Sequence, residues 1–233
     1  MTTMLEINNL DAFYGDSHIL HGIGLTVAAG EVVTLIGRNG AGKSTTLKSI
    51  IGDIPRRAGS ILFHGTEIIK TSSERICKMG MGFVPEDRGM FSTLTVHENL
   101  TIGRPKGDYA WPLKRIYDMF PVLGDRRAQK ASSLSGGEQQ MLSIARPLYM
   151  GASFLLLDEP TEGLAPVVVD AIGTIIAQLK AAGLTILLVE QNLPFATEVA
   201  DRHYLLENGR IVRTMTNTEV TEEEDSLLEH LGV

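Results

Sequence analysis

The sequence predicts an α/β fold: a mainly parallel sheet covered by helices, with an N-terminal antiparallel β flap and an inserted helical subdomain. Short β-branched runs alternate with helical patterns along most of the chain, as parallel strands joined by crossovers require. Ahead of Gly30 the strand patterns have no helix between them, and from Phe91 to Met150 no strand pattern occurs. At 233 residues, 43% of them hydrophobic, the chain can bury one sizeable core.

Each element has its own signal. "LEINNL" and "HILHGIGLTV" alternate as flap strands do. "EVVTLIG" (Glu31–Gly37), "MGFVP" (Met81–Pro85), "SFLLLDE" (Ser153–Glu159) and "TILLVEQ" (Thr185–Gln191) are short apolar runs suited to buried parallel strands. Lys43–Ile51 and Val167–Ala182 are expected helices, the second with Pro166 in its first turn, where a missing N–H costs nothing. "TVHENLTIG", "WPLKRIYDMFPVL" and "SGGEQQMLSIARPLYM" are expected to be helical, with Pro147 kinking or ending the last. "YLLENGRIVRTM" predicts a hairpin turning at Asn208-Gly209, and "TEVTEEEDSLLEHLGV" an acidic amphipathic helix. The expected organisation is one domain over 1–233, with a core from 1–90 and 151–233 and a helical subdomain over 91–150.

A formal net charge of −7 argues against wrapping nucleic acid, whose binders carry a basic face. Cys77 is the sole cysteine, which excludes an internal disulfide and a cysteine metal cage; it reads as a small hydrophobe, buried or half-buried. The N-terminus has no basic stretch leading into a long apolar one, so no secretory signal is expected. The longest apolar runs fall far below the roughly 18 residues a spanning helix needs. A chain soluble by itself and cytoplasmic is expected.

The chemistry begins at "LIGRNGAGKSTTL", Leu35 to Leu47. Gly37, Arg38, Asn39, Gly40, Ala41, Gly42, Lys43 and Ser44 fit the phosphate-loop spacing, between a strand and a helix as that motif demands. Glycines there turn backbone N–H groups inward to cradle phosphate oxygens, and the helix start adds partial positive charge. Lys43 would reach the β- and γ-phosphates; the Ser44 hydroxyl suits Mg²⁺, a hard ion that prefers oxygen. Thr45 continues the cradle. "FLLLDEP" supplies the carboxylates such a site needs at a buried strand end: Asp158 for the metal shell and Glu159 to polarise an attacking water.

"SSLSGGEQQMLSIAR" narrows the class. Ser135, Gly136, Gly137 and Glu138 open a helix in the manner of an anion site, and Leu134–Gln140 resembles the signature of ATP-binding-cassette ATPases. The resemblance covers essentially the whole chain and implies a P-loop NTPase core. It implies ATP and Mg²⁺ as ligands, Tyr14 stacking on adenine, and Gln191 at the switch position. It also implies that the signature of one ATPase subunit faces the ATP held by a second, identical or paralogous, so that nucleotide glues the pair. Transmembrane permease subunits and, indirectly, a periplasmic substrate-binding protein would complete the assembly, with this chain peripheral at the cytoplasmic face of the inner membrane. A groove between core and helical subdomain, bordered by the Glu86 loop, would receive a short permease helix; Asp87–Thr95 would serve as relay or as plain surface loop.

This sequence departs from the common family pattern at three places. Glu86 replaces a glutamine and joins the expected metal ligands, Gln191 replaces a histidine, and Ala165 stands where Leu-Asp usually ends. With "VPEDR", "GLAP" and "VEQN", the chain resembles the LivF-type ATPases of branched-chain amino-acid importers. Other readings are uptake of urea or amides, an export ATPase, a non-transport cassette ATPase, and a scaffold that binds ATP without hydrolysis.

Overall fold

The computed structural model describes residues 2–105, 107 and 109–231. In chain order the strands are β1 (Thr3–Tyr14), β2 (Ser17–Ala28), β3 (Val32–Ile36), β4 (Arg56–Phe63), β5 (Thr66–Glu67), β6 (Met81–Val84), β7 (Phe154–Asp158), β8 (Thr185–Glu190), β9 (Arg202–Glu207) and β10 (Arg210–Thr216). The helices are α1 (Lys43–Ile51), α2 (Ser73–Lys78), α3 (Val96–Thr101), α4 (Leu113–Met119), α5 (Pro121–Asp125), α6 (Gly136–Met150), α7 (Pro166–Ala181), α8 (Leu193–Val199), α9 (Asn217–Glu222) and α10 (Glu224–Leu231).

Two sheets result. The larger has the order β10-β9-β3-β8-β7-β6, parallel except for the antiparallel edge strand β10. Every residue of β3, β7 and β8 is buried, which is why their sequences are mainly apolar, with Thr34 inside β3 and polar residues otherwise only at the strand ends. The smaller sheet, β2-β1-β4-β5, is antiparallel throughout. One core fills the space between the two sheets around α1, with Leu5, Leu35, Leu47, Phe63 and Phe154 at its centre. A second core lies under α6 and α7 and joins Trp111, Phe120, Leu142, Leu157 and Ile176.

The flap has two strands more than its sequence suggested: β4 and β5 extend it beyond β1. Arg56, Arg57 and Gly59 break the apolar alternation of β4 and hid it. Between β6 and β7 only helices and one 3₁₀ turn over Ala131–Ser133 occur among the described residues. "WPLKRIYDMFPVL" becomes two helices because Pro121 restricts Phe120, which leaves the helical region at φ −122°, ψ 71°. The acidic tail likewise divides, at Glu223; its last two residues lie outside the described part. Pro147 does not end α6, which runs on to Met150 and stops at Gly151. The ring is wedged against Gly82 of β6, where an added Cβ would stand 2.5 Å from the Pro147 Cβ, so tertiary packing offsets the lost N–H.

Candidate functional site

The loop Gly37–Gly42 leaves the C-terminal end of β3 and feeds α1. Gly42 caps α1 at φ 108°, a left-handed conformation that a side chain would strain. No side chain caps this helix and no acid sits in its first turn. The first intrahelical bond is Thr46 N to Gly42 O, 2.9 Å, so the amides of Lys43, Ser44 and Thr45 stand before it as donors for an anion.

Lys43 is 4% exposed; its ammonium donates to Gly37 O at 2.9 Å and Arg38 O at 3.3 Å, and pairs with Glu159 at 3.0 Å. Ser44 Oγ donates to Asp158 Oδ1 at 2.8 Å. Gln191 Nε2 donates to Asn39 Oδ1 and, at 3.3 Å, to both Glu159 oxygens. Loop, strand-end carboxylates and switch residue are thereby one hydrogen-bonded group. Burial raises the Asp158 pKa; the Ser44 bond and Lys48 oppose this, and the charges of Glu159 and Glu86 add to it.

A cleft of ≈ 450 Å³ opens over these groups, lined by Tyr14, Asn39, Gly40, Gly42, Lys43, Ser44 and Thr45 with the carboxylates of Glu86, Glu159 and Glu162. Tyr14, at the end of β1, is 48% exposed, a ring free to stack on a ligand. Gly37, Arg38 and Ala41 lie in the loop outside the lining, and so do Asp158 and Gln191, which stand behind Ser44 and Glu159; the Arg38 carbonyl also accepts from Ala41 N. The oxygens of Ser44, Asp158 and Glu86 form a hard donor set suited to Mg²⁺. Among the described residues no three His, Cys, Asp or Glu side chains are grouped to hold a metal alone, and magnesium characteristically takes only one or two carboxylates beside phosphate oxygens.

Glu159 has φ 46°, uncommon for any residue but glycine and costly by on the order of 1 kcal/mol. Glu159 N donates to Val189 O at 3.0 Å, holding the carboxylate at the turn out of β7. Glu162 is a site residue the sequence reading omitted. Its pKa is raised, by burial first and then by the neighbouring carboxylates of Glu159 and Glu86. An acid three residues past Glu159 in a turn-forming "EPTEG" was the available signal.

Ser135, Gly136, Gly137 and Glu138 do not line this cleft. They start α6, where Ser135 and Glu138 form a reciprocal capping box: Glu138 N donates to Ser135 Oγ at 3.3 Å and Ser135 N to Glu138 Oε2 at 2.8 Å. Glu138 also pairs with Arg126 at 2.7 Å. Gly137 is buried against α7: an added Cβ would stand 2.5 Å from Val168 Cγ1. The Glu86 loop is tied to the same helix. Ser143 donates to Arg88 O at 2.8 Å, Arg88 to Gln139 at 3.2 Å, and Arg146 to Gly89 O at 2.6 Å.

A lysine-bearing phosphate loop, a serine–aspartate pair and a strand-end glutamate on a parallel sheet define a P-loop nucleotide hydrolase. The profile of the ABC transporter family matches residues 20–162, and the chain belongs to that family. It is 46% identical to the high-affinity branched-chain amino acid transport ATP-binding protein BraG of Pseudomonas aeruginosa, over 90% of this chain and 91% of that one. It is 39% identical to the probable branched-chain amino acid transport ATP-binding protein LivF of Archaeoglobus fulgidus, over 95% of both. Its fold superimposes on a nucleotide-free ATP-binding cassette from an ABC transporter with a TM-score of 0.86 at 25% identity, over 100% of this chain and 99% of the other. The chain is an ATPase cassette with the ABC fold. Among the described residues no helix is long and apolar enough to cross a membrane.

Proposed function

We propose that this chain is the ATP-hydrolysing subunit of a membrane importer for branched-chain or related amino acids, peripheral at the cytoplasmic face. The observation that carries the ATPase half is the linked group of Lys43, Ser44, Asp158, Glu159 and Gln191 at one loop. The cargo rests on likeness to BraG and LivF over nine-tenths or more of the chain.

In this reading the amides of Lys43, Ser44 and Thr45 hold the phosphates of ATP, and Tyr14 holds the base. The Lys43 ammonium exchanges its Glu159 partner for phosphate oxygens, which frees that carboxylate to orient a water for in-line attack. Gln191 steadies Glu159 by hydrogen bonding and, unlike histidine, cannot titrate. Ser44, Asp158 and Glu86 would hold Mg²⁺, which when bound neutralises charge on the phosphate oxygens. A second ATPase subunit, a copy or a paralogue, contributes Ser135 and the amides of Gly136 and Gly137, while Glu138 holds Ser135 in place. Glu159→Gln in the complex with the transmembrane subunits should abolish steady phosphate release while ATP binding persists; full turnover in that variant would overturn the reading.

Glu86 makes ATP binding more metal-dependent than glutamine would, because a second acid near the γ-phosphate repels it without a cation. Titrating ATP with and without Mg²⁺ against wild type and Glu86→Gln checks this: equal metal dependence sinks it.

The permease would dock in a groove of ≈ 750 Å³ between the main sheet and the helical segment, bordered by Pro85, Arg88, Ile102, Tyr109 and Met150. Ile102 and Tyr109 are more than half exposed there. Cys77, exposed and not buried or half-buried as its type suggested, lines the same groove and is the natural probe. Its modification by a thiol reagent should slow in the assembled transporter; an unchanged rate would place the permease elsewhere.

A further inference from the structure

We propose that Glu190 is a positioning residue that sets Glu159 and Gln191 relative to each other through one buried carboxylate shared by the loops after β7 and β8. The inference rests on the reading of Glu159 and Gln191 given above.

β7 and β8 are parallel neighbours, with Asp158 in register with Val189, so their two exit loops leave side by side. Glu190 ends β8 at 3% exposure. One oxygen accepts from Thr161 Oγ1 at 2.6 Å and from Thr161 N at 3.3 Å. The other accepts from Gln191 N at 3.0 Å and Asn192 N at 3.2 Å. These four donors all belong to the two exit loops. Thr161, itself buried, lies two residues beyond the strained Glu159 and begins the turns that lead to Leu164.

Among the described residues the other side-chain link between the two loops is the Gln191–Glu159 contact, whose geometry is at stake; the backbone adds only Glu159 N to Val189 O of β8. A carboxylate is the one side chain that accepts on both oxygens. Burial raises the Glu190 pKa while each of the four bonds favours its ionised form, so water cannot readily replace what the loops supply. Glutamine keeps the shape and loses the symmetry. Its NH₂ must face either the Thr161 amide or the Gln191 and Asn192 amides, donor against donor.

The test uses the cassette assembled with its transmembrane subunits, reading kcat and KM for ATP. Glu190→Gln should lower kcat by about tenfold to a hundredfold, the cost of misplacing a reacting group by an ångström, with KM little changed. Thr161→Val, which removes one donor without touching the buried acid, should lower kcat less and in the same way. In a Gln191→Ala background, Glu190→Gln should add little, because residues acting as a unit are non-additive. Wild-type kcat in Glu190→Gln, or a loss fully additive with Gln191→Ala, overturns the proposal. Should Glu190→Gln fail to fold, Thr161→Val decides, and unchanged kcat there overturns it equally. Glu159→Gln is the control: if it leaves turnover intact, the reading of the site has failed rather than this inference.

Discussion

Two helices in this protein begin with glycine and a small hydroxyl residue, and they begin in opposite ways. At α1 the cap is Gly42 in a left-handed conformation, with no side chain over the amides. At α6 the cap is Ser135, locked in a box with Glu138, which Arg126 holds in turn. The first start is an open cradle beside its own lysine. The second is closed on itself and set in place by packing, because Gly137 lies against Val168. Similar letters thus serve two designs: one leaves its donors bare, the other presents a rigid edge.

The largest expected effect tests the open start. Lys43→Ala should lower turnover by about a hundredfold or more, with ATP affinity falling too, if the ammonium that pairs with Glu159 is also the proposed phosphate ligand. Undiminished ATP binding by calorimetry would erase the contrast between the two helices. At the closed start, Ser135→Ala should leave ATP binding to the isolated chain unchanged yet slow the assembled complex. It should also cost about 1 kcal/mol of stability through the lost cap, read in a denaturant melt. Weakened binding in the isolated chain would show that both starts serve one nucleotide.

Gly137→Ala sharpens the comparison further. The clash with Val168 should destabilise by about 1–3 kcal/mol, and Val168→Ala should restore the melt. Turnover that returns with the melt would give Gly137 a packing role alone; turnover that stays low would add a role toward the partner's phosphate. The smallest effect belongs to Arg126→Ala. A partly exposed ion pair with Glu138 contributes at most about 1 kcal/mol, so a larger loss would mean the box depends on it.

The parts legible in the sequence were those whose residue types admit few alternatives. β3, β7 and β8 are buried on every residue and so are mainly apolar runs. The hairpin at Asn208-Gly209 has both turn residues at positive φ, 46° and 73°, which that pair favours. What escaped depended on distant partners. β4 is a strand because β1 pairs with it, in spite of its arginines and glycine. α2 and α8 are six and seven residues long, too short for periodicity to stand out. Pro147 does not end α6 as it could have, because its ring meets Gly82, a contact no local pattern announces. In the site, Lys43, Ser44, Asp158 and Glu159 were readable from fixed spacing after strands. Glu190 carried the same mark as Asp158, an acid closing an apolar run, yet its meaning lay in Thr161, 29 positions away in the chain.

The contact between Gly137 and Val168 leaves no room for even a methyl group, and α7 begins only seven residues beyond Glu159. Such a fit leaves no play between the start of α6 and the first turn of α7: a shift of one has to be taken up by the other.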